Sequence, residues 1–266
     1  MPSRYLILDV SPLLKKKQHD LISEKVPHLL PRFCWLDDLP GQISGVVFAN
    51  ELFDALPVNL IKAQESEILE RGVSLDEAGF CWSDRKASGQ LLKAATALNL
   101  CPPYITEIGL VGRALMKKLA SNLDTGILLF VDYGFRRAEY YHPQRSKGTL
   151  MCHYRHYSHQ DPFFYPGLQD ITAHVDFTAL AEVAGNLDLE VLGYCSQAQF
   201  LINCGITDLI LENMEKNKEA GTVTGPMINK LLSPGEMGEL VKVIAMGNGV
   251  NASLMGFRER DRGGAL

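Results

Sequence analysis

The sequence predicts an α/β protein built on a doubly wound sheet with an antiparallel edge strand. Three observations predict it. Short apolar runs that end in acid alternate with amphipathic helical stretches, one region in the first half alternates apolar with polar residues, and two further strand-like runs stand near the C-terminus. The chain reads as one domain over residues 1–266, with insertions at about 58–99 and 136–170, a β meander and a lid.

Tyr5–Val10 is an apolar run interrupted by Asp9, the pattern of a strand buried on both faces. Ser11 and Pro12 follow as N-cap and first helical residue. The helix they open carries Leu13, Leu14, Gln18, Leu21 and Ile22 and stops before Pro27. Phe33–Leu36 and Gly45–Ala49 are the next two strands. Asn50 is expected to cap a short helix that ends by Leu56, because Pro57 disfavours helical backbone at the residue before it. Residues 58–88 alternate apolar and polar positions around turns near Gly72 and Gly79, as an antiparallel meander does. Pro102 and Pro103 close that region, and Ile105, Ile108, Val111, Leu115 and Leu119 predict a helix over residues 104–122. Gly126–Val131 is a buried strand running into Asp132, Tyr133 and Gly134. Residues 135–170 are aromatic, rich in His and weakly periodic, which predicts a lid or binding loop. Asp176 caps a helix with Phe177, Leu180, Ala181 and Ala184 on its apolar face, and Leu189–Tyr194 and Leu240–Met246 complete the strands.

A net charge of -5 with scattered Lys and Arg argues against nucleic acid as a partner, since backbone phosphates call for a basic face. The run Lys15-Lys16-Lys17 reads as a solvated helix face. Six cysteines without a CxxC pair suggest neither a zinc knuckle nor a disulfide framework, so a reducing, cytoplasmic compartment is expected. No apolar run approaches the ~20 residues of a membrane span.

Ligands of doubly wound sheets sit beyond the carboxyl ends of the strands. Three of the expected strands finish in acid along that edge, at Asp9, at Asn50 and Glu51, and at Asp132. Asp9 suits ribose hydroxyls, and suits plain hydration equally well. Glu51 and Asp54, three residues apart, would share one face of the expected turn, where two carboxylates fit a cation and best a planar guanidinium. Acids in a first helical turn also occur simply as helix starters. In "HYRHYSH" the spacing of His153, His156 and His159 would bind a metal only on a helix, and the interleaved Tyr154 and Tyr157 point to a strand or loop, so no metal is expected. "GNGVNA" imitates a dinucleotide fingerprint, but too little chain follows for the helix and parallel strand such a site needs, so a turn is expected at Asn248-Gly249.

The stretches "VVFANELFDALPV", "FVDYG", "GTLMCHYRH" and above all "PGLQDITAHVDFTAL" resemble the MidA-like proteins, from Tyr5 to Phe257. These are class I S-adenosylmethionine-dependent methyltransferases with a Rossmann-like fold, whose mitochondrial members methylate arginine during respiratory complex I assembly. The resemblance implies that Asp9, Ser11, Asp37, Asp38, Leu39 and Asn50 contact the cofactor. It implies a methyl-transfer edge formed by Asn50, Glu51 and Asp54. On the substrate side it implies Asp132, Tyr133, His156, Asp170, Thr172, His174 and Asp176. S-adenosylmethionine is the implied cofactor, and the implied partner is a protein substrate such as a respiratory complex subunit, in the bacterial cytoplasm here and in the mitochondrial matrix for the relatives.

Family members carry a first strand and a Gly-rich loop ahead of the strand that ends in the ribose-binding acid. Only eight residues precede Asp9, and they hold no GxG. Weak cofactor binding is therefore expected, together with an association-prone edge at Tyr5–Val10, because side chains elsewhere cannot replace the amides of that loop. Two readings follow: an arginine N-methyltransferase, or a methyltransferase fold that holds a partner without turnover.

Overall fold

Ser11 and Pro12 start the first helix as their chemistry dictates. Ser11 Oγ accepts from the Leu14 amide, and Pro12 occupies the first turn, where no helical partner is needed. The structure, a computed structural model, describes residues 2–155, 157–216 and 221–266. Its chain divides into two compact units, Met1–Ile43 and Ser44–Leu266.

The first unit is a βαβ unit. Strand β1 (Tyr5–Leu8), helix α1 (Pro12–Lys25) and strand β2 (Phe33–Leu36) follow in order, with β1 and β2 parallel and Tyr5 opposite Phe33. A polar relay ties it together: Trp35 Nε1 donates to Gln18 Oε1, and Gln18 Nε2 donates to Asp9 Oδ2. Tyr5, Leu6, Leu8 and Val10 are exposed rather than buried on both faces, a departure from the sequence expectation for this run.

In the second unit, β3 (Ile43–Asn50) leads to a four-stranded antiparallel sheet. That sheet is built from β4 (Asn59–Ala63), β5 (Ile68–Asp76) and β6 (Gly79–Lys86), then, beyond α2 (Gly89–Ala97), β7 (Tyr104–Ile108). The meander expected from the alternation is present. Residues 104–108 correct the helical expectation. They pair antiparallel with β4, Asn59 opposite Ile108, and only then does α3 (Leu110–Asn122) begin. The β-branched residues Ile105, Thr106 and Ile108 are better packed on a pleated surface than on a helix.

The site-bearing sheet is centred on β8 (Leu123–Phe135). Next in the chain come α4 (Arg137–Tyr140), β9 (Met151–Tyr154), β10 (Tyr157–His159), β11 (Asp170–Thr172), β12 (Val175–Asp176) and α5 (Phe177–Gly185). The chain closes through β13 (Glu190–Ser196), α6 (Gln197–Asn203), α7 (Ile206–Lys216), α8 (Gly221–Leu232), α9 (Met237–Leu240) and β14 (Val241–Asn248). Among the described residues this sheet runs β12-β8-β14-β13, with β3 also on β8. β14 is antiparallel to both neighbours and buried along nearly its whole length, which is why it reads as a continuous apolar run. The close approach of β3 to β8 depends on Gly126, where a Cβ would stand 1.8 Å from the Gly45 carbonyl oxygen. Asn248-Gly249 is the expected turn, with Gly249 at φ +68 and a 3-10 turn following.

The segment 136–170, expected as a lid or binding loop, carries regular strand structure among its described residues. β9, β10 and β11 form a three-stranded antiparallel sheet, and Phe163 packs on Trp82 of β6 with ring centroids 4.8 Å apart. Its root is held by Glu107 of β7, which is 2% exposed. Glu107 accepts from the Thr149 and Leu150 amides at 3.0 Å, from Thr149 Oγ1 at 3.1 Å and from the Tyr140 hydroxyl at 3.2 Å. Gly148, at φ +78, lets the chain pass this carboxylate, because a Cβ there would lie 2.3 Å from Glu107 Oε1. Gly148→Ala is therefore expected to cost on the order of 2–3 kcal/mol from the left-handed backbone and the displaced carboxylate. Gly185→Ala, at a helical position with open space, is expected to be neutral or mildly stabilising. Urea midpoints measure both, and equal midpoints for the two variants would dismiss the role of Gly148.

Candidate active site at the β3 and β8 strand ends

β3 does not run into a helix. Glu51 turns the chain with a left-handed backbone, φ +51, its amide donating to the Val131 carbonyl at 2.9 Å. The Leu52 and Phe53 amides, which a helix would leave for capping groups, donate instead to Asp132 Oδ2 at 3.0 and 2.7 Å. The short capped helix expected at residues 50–56 is thus replaced by a tight turn, and Asn50 is the last residue of β3 rather than a helix cap. A carboxylate from a neighbouring strand outcompetes local helix nucleation, which gains little over a single turn. The left-handed conformation costs a non-glycine residue roughly 1–2 kcal/mol, and such residues cluster at functional sites.

The turn separates the two acids that a helical face would have presented together. Glu51 is exposed, whereas Asp54 is 6% exposed and lies within hydrogen-bond reach of Asp132, itself 1% exposed. Burial first, then Glu51 and Asp170, push the Asp54 carboxyl above its ordinary range. Burial and the Asp54 carboxylate push Asp132 up to about 7 despite the amides of Phe53 and Tyr133. Asp54 Oδ1 is buried without a hydrogen-bond partner. Asp170 opens β11, and the Ala173 amide just beyond that strand donates to the Asp54 carbonyl, so this segment is stitched to the turn.

Tyr133 stacks on His174 at 6.3 Å and 13°, and Phe135 meets the same imidazole edge-on at 5.1 Å. Burial, then Arg145 and Lys242, depress His174 to about 4. Its amide donates to Thr149 Oγ1, while its Nδ1 is buried without a partner. Asp176 is the expected N-cap: Oδ1 accepts from the Ala179 amide, and Oδ2 lies 3.4 Å from Arg137 Nε. Thr172 sits in β11 opposite Met151. A pocket lined by Phe53, Leu56, Arg113, Tyr141, His174 and Asp176 lies beside the turn. His156 lies outside the described residues. His153 and His159 stand on the β9–β10 hairpin, not on a helix. Among the described residues no three His, Cys, Asp or Glu side chains converge for a metal ion.

The structure therefore gathers Glu51, Asp54, Asp132, Tyr133 and Asp170 at one end of the second unit's sheet, with His174 stacked on Tyr133. Asp9, Ser11, Asp37, Asp38 and Leu39 belong to the first unit. There Asp9 Oδ1 accepts from the Ser11 amide, Asp37 pairs with Lys15 at 2.7 Å, and Asp38 accepts from the Leu39 amide. Glu107 is hidden in the sequence because Ile105 and Ile108 also fit a helical period. The β-branched density of "YITEI" was the signal that could have found it.

A sheet in which an antiparallel strand lies between two others, with acids at the strand ends, is the Rossmann-like methyltransferase fold. The family model described as "Putative S-adenosyl-L-methionine-dependent methyltransferase" matches residues 2–195, and the chain belongs to that family, the MidA-like proteins. The chain is 29% identical to "Protein arginine methyltransferase NDUFAF7, mitochondrial" of Danio rerio, over 85% of this chain and 51% of that protein. It is 28% identical to the Drosophila melanogaster homolog, over 93% of this chain and 61% of that one. The chain thus spans about half the length of the Danio rerio relative. A COG1565 superfamily protein of Burkholderia thailandensis superposes with a TM-score of 0.93 at 42% identity, covering 99% of this chain and 71% of its own. A second Burkholderia thailandensis structure, bound to S-adenosyl-homocysteine, matches equally well over 69% of its chain.

His174 supplies a test of this packing. Its depressed value means the neutral ring stabilises the fold fully above the usual 6.5, and that contribution is lost as pH falls through about 4. Relative to His174→Phe, which keeps a stacked ring but does not titrate, the protein is expected to lose about 3 kcal/mol between pH 7 and pH 4. Parallel stability curves across that range, from denaturant titration at each pH, would rule it out.

Proposed function

We propose that this chain is the working part of an S-adenosylmethionine-dependent methyltransferase that methylates a guanidino nitrogen of arginine on a partner protein. The observation that carries the reading is the turn at residues 51–54. It holds one strained, exposed carboxylate and one buried carboxylate with an unpartnered oxygen beside a third acid. Family membership and the S-adenosyl-homocysteine in the Burkholderia thailandensis relative support the methyl donor, and the names of the mitochondrial relatives support arginine.

The residues fit such a cofactor. A sulfonium and a guanidinium are both cations, and the acids at this strand edge offset their repulsion. S-adenosylmethionine supplies the electrophilic methyl group when bound. Glu51 meets the guanidinium and orients it, Asp54 faces its nucleophilic nitrogen, and Tyr133 with His174 forms an aromatic wall that excludes water. Asp9, with lone pairs left after its bonds to Ser11 and Gln18, would take the ribose hydroxyls, and Asp37, Asp38 and Leu39 would flank the adenine. Asn50 would complete the transfer edge, while Asp170, Thr172 and Asp176 would line the substrate side, as His156 would.

A second reading, a methyltransferase fold that holds a partner without turnover, is favoured by the exposed apolar side chains of β1. Glu51→Gln separates the two. It is expected to keep fold and cofactor affinity while lowering methyl transfer roughly thirty- to a thousandfold, the loss of a charged hydrogen bond to a desolvated cation. Asp54→Asn is expected to act in the same direction. Transfer and cofactor affinity measured side by side decide it, and unchanged transfer in both variants would remove the clamp.

A further inference from the structure

Asp54 and Asp132 form an arrangement that a guanidinium clamp alone does not require. Asp132 is already committed to the backbone, its oxygens accepting from Leu52, Phe53 and Tyr133. Asp54 turns one oxygen toward that same carboxyl and leaves Oδ1 buried and unpartnered. Two carboxylates in contact, both more than nine-tenths buried, cannot both stay ionised without a cation between them, and the described side chains place none there. The other titratable groups facing the pair are Glu51, Asp170 and Tyr133, of which the two acids add negative charge.

We propose that Asp54 and Asp132 hold one proton between them, and that this pair receives the proton released by the nucleophile during methyl transfer. Asp54 carries the oxygen that meets the substrate. Asp132 acts through Asp54 and is a positioning residue. The inference rests on the guanidine reading for its second half only. The attacking nitrogen forms its bond to the methyl carbon as the methyl–sulfur bond breaks, with that electron pair left on sulfur. The bound guanidinium is the cation that lets the pair release its shared proton to water beforehand, so the nitrogen's proton passes to an ionised pair, which shares it again until water removes it. The pair is poised for this because burial and the neighbouring carboxyl hold both groups above the ordinary range, Asp132 at about 7. Neither residue alone in water would hold a proton at that pH. Burial and mutual repulsion create the acceptor.

The test begins without substrate. In the full chain labelled with 13C at Asp carboxyl carbons, NMR titration is expected to show two Asp signals, those of Asp54 and Asp132, moving together with a midpoint near 7. Asp54→Asn, whose amide can donate permanently to Asp132, is expected to abolish that midpoint while preserving the amide bonds of the turn. Asp132→Asn serves as the second variant, and it too is expected to remove the near-neutral midpoint. Absence of any Asp carboxyl titrating above about pH 6 in the native chain, or persistence of the midpoint in both variants, would overturn the shared proton. With S-adenosylmethionine and an arginine-rich peptide, the rate is expected to rise roughly tenfold per pH unit below that midpoint and level off above it. A rate independent of pH over the same range overturns proton uptake. A near-neutral carboxyl without transfer to guanidine upholds the pair and counts against the arginine reading instead.

Discussion

The grip of the Asp132 carboxylate on the turn after β3 is the interaction on which the rest of the site depends. Three backbone amides converge on one side chain, two of them from the segment that would otherwise nucleate a helix. Charge-assisted bonds of this kind are roughly twice as strong as neutral ones, and inside the fold they lack competition from water. They hold Leu52 and Phe53 against the end of β8, and Phe53 then packs edge-on against Phe130 at 5.0 Å. With those residues anchored, Glu51 must take the left-handed turn and Asp54 must face inward. The strain at Glu51 and the burial of Asp54 are thus two consequences of one tie.

A second buried acid does the corresponding work on the substrate side. Glu107, the penultimate residue of β7, holds Thr149 and Leu150, Thr149 holds the His174 amide, and His174 stacks on Tyr133 next to Asp132. Both acids are raised above the ordinary carboxyl range by burial. They differ in their neighbours. Glu107 faces amides and hydroxyls that satisfy it, which is a structural arrangement, while Asp132 faces another carboxyl, which is a chemical one. A buried carboxyl near a strand end therefore braces the fold in one place and, in the proposed pair, shares a proton in the other.

Local sequence carried a good deal of this. Ser11-Pro12, the alternation of residues 58–88, the apolar run 126–131 and the Asp176 cap depend on neighbours a few residues away, and each formed as expected. The misreadings fall where a distant group intervened. Residues 50–56 lost a helix to a carboxylate about eighty positions along the chain, and residues 104–108 became a strand because β4 offered an edge. Segment 136–170 acquired order from pairing among β9, β10 and β11 and from the aromatic contact with β6.

The sequence by itself determined the alternation of strands and helices, the acids at the strand ends and the family, because periodicity, capping and contiguous motifs are properties of the chain. Only the tertiary structure decided that Glu51 is exposed while Asp54 is buried, and that Asp54 confronts Asp132 rather than standing beside Glu51 on a helical face. The reason is electrostatic. A carboxylate's protonation and partners depend on desolvation and on charges brought close by folding, and neither is written in spacing along the chain.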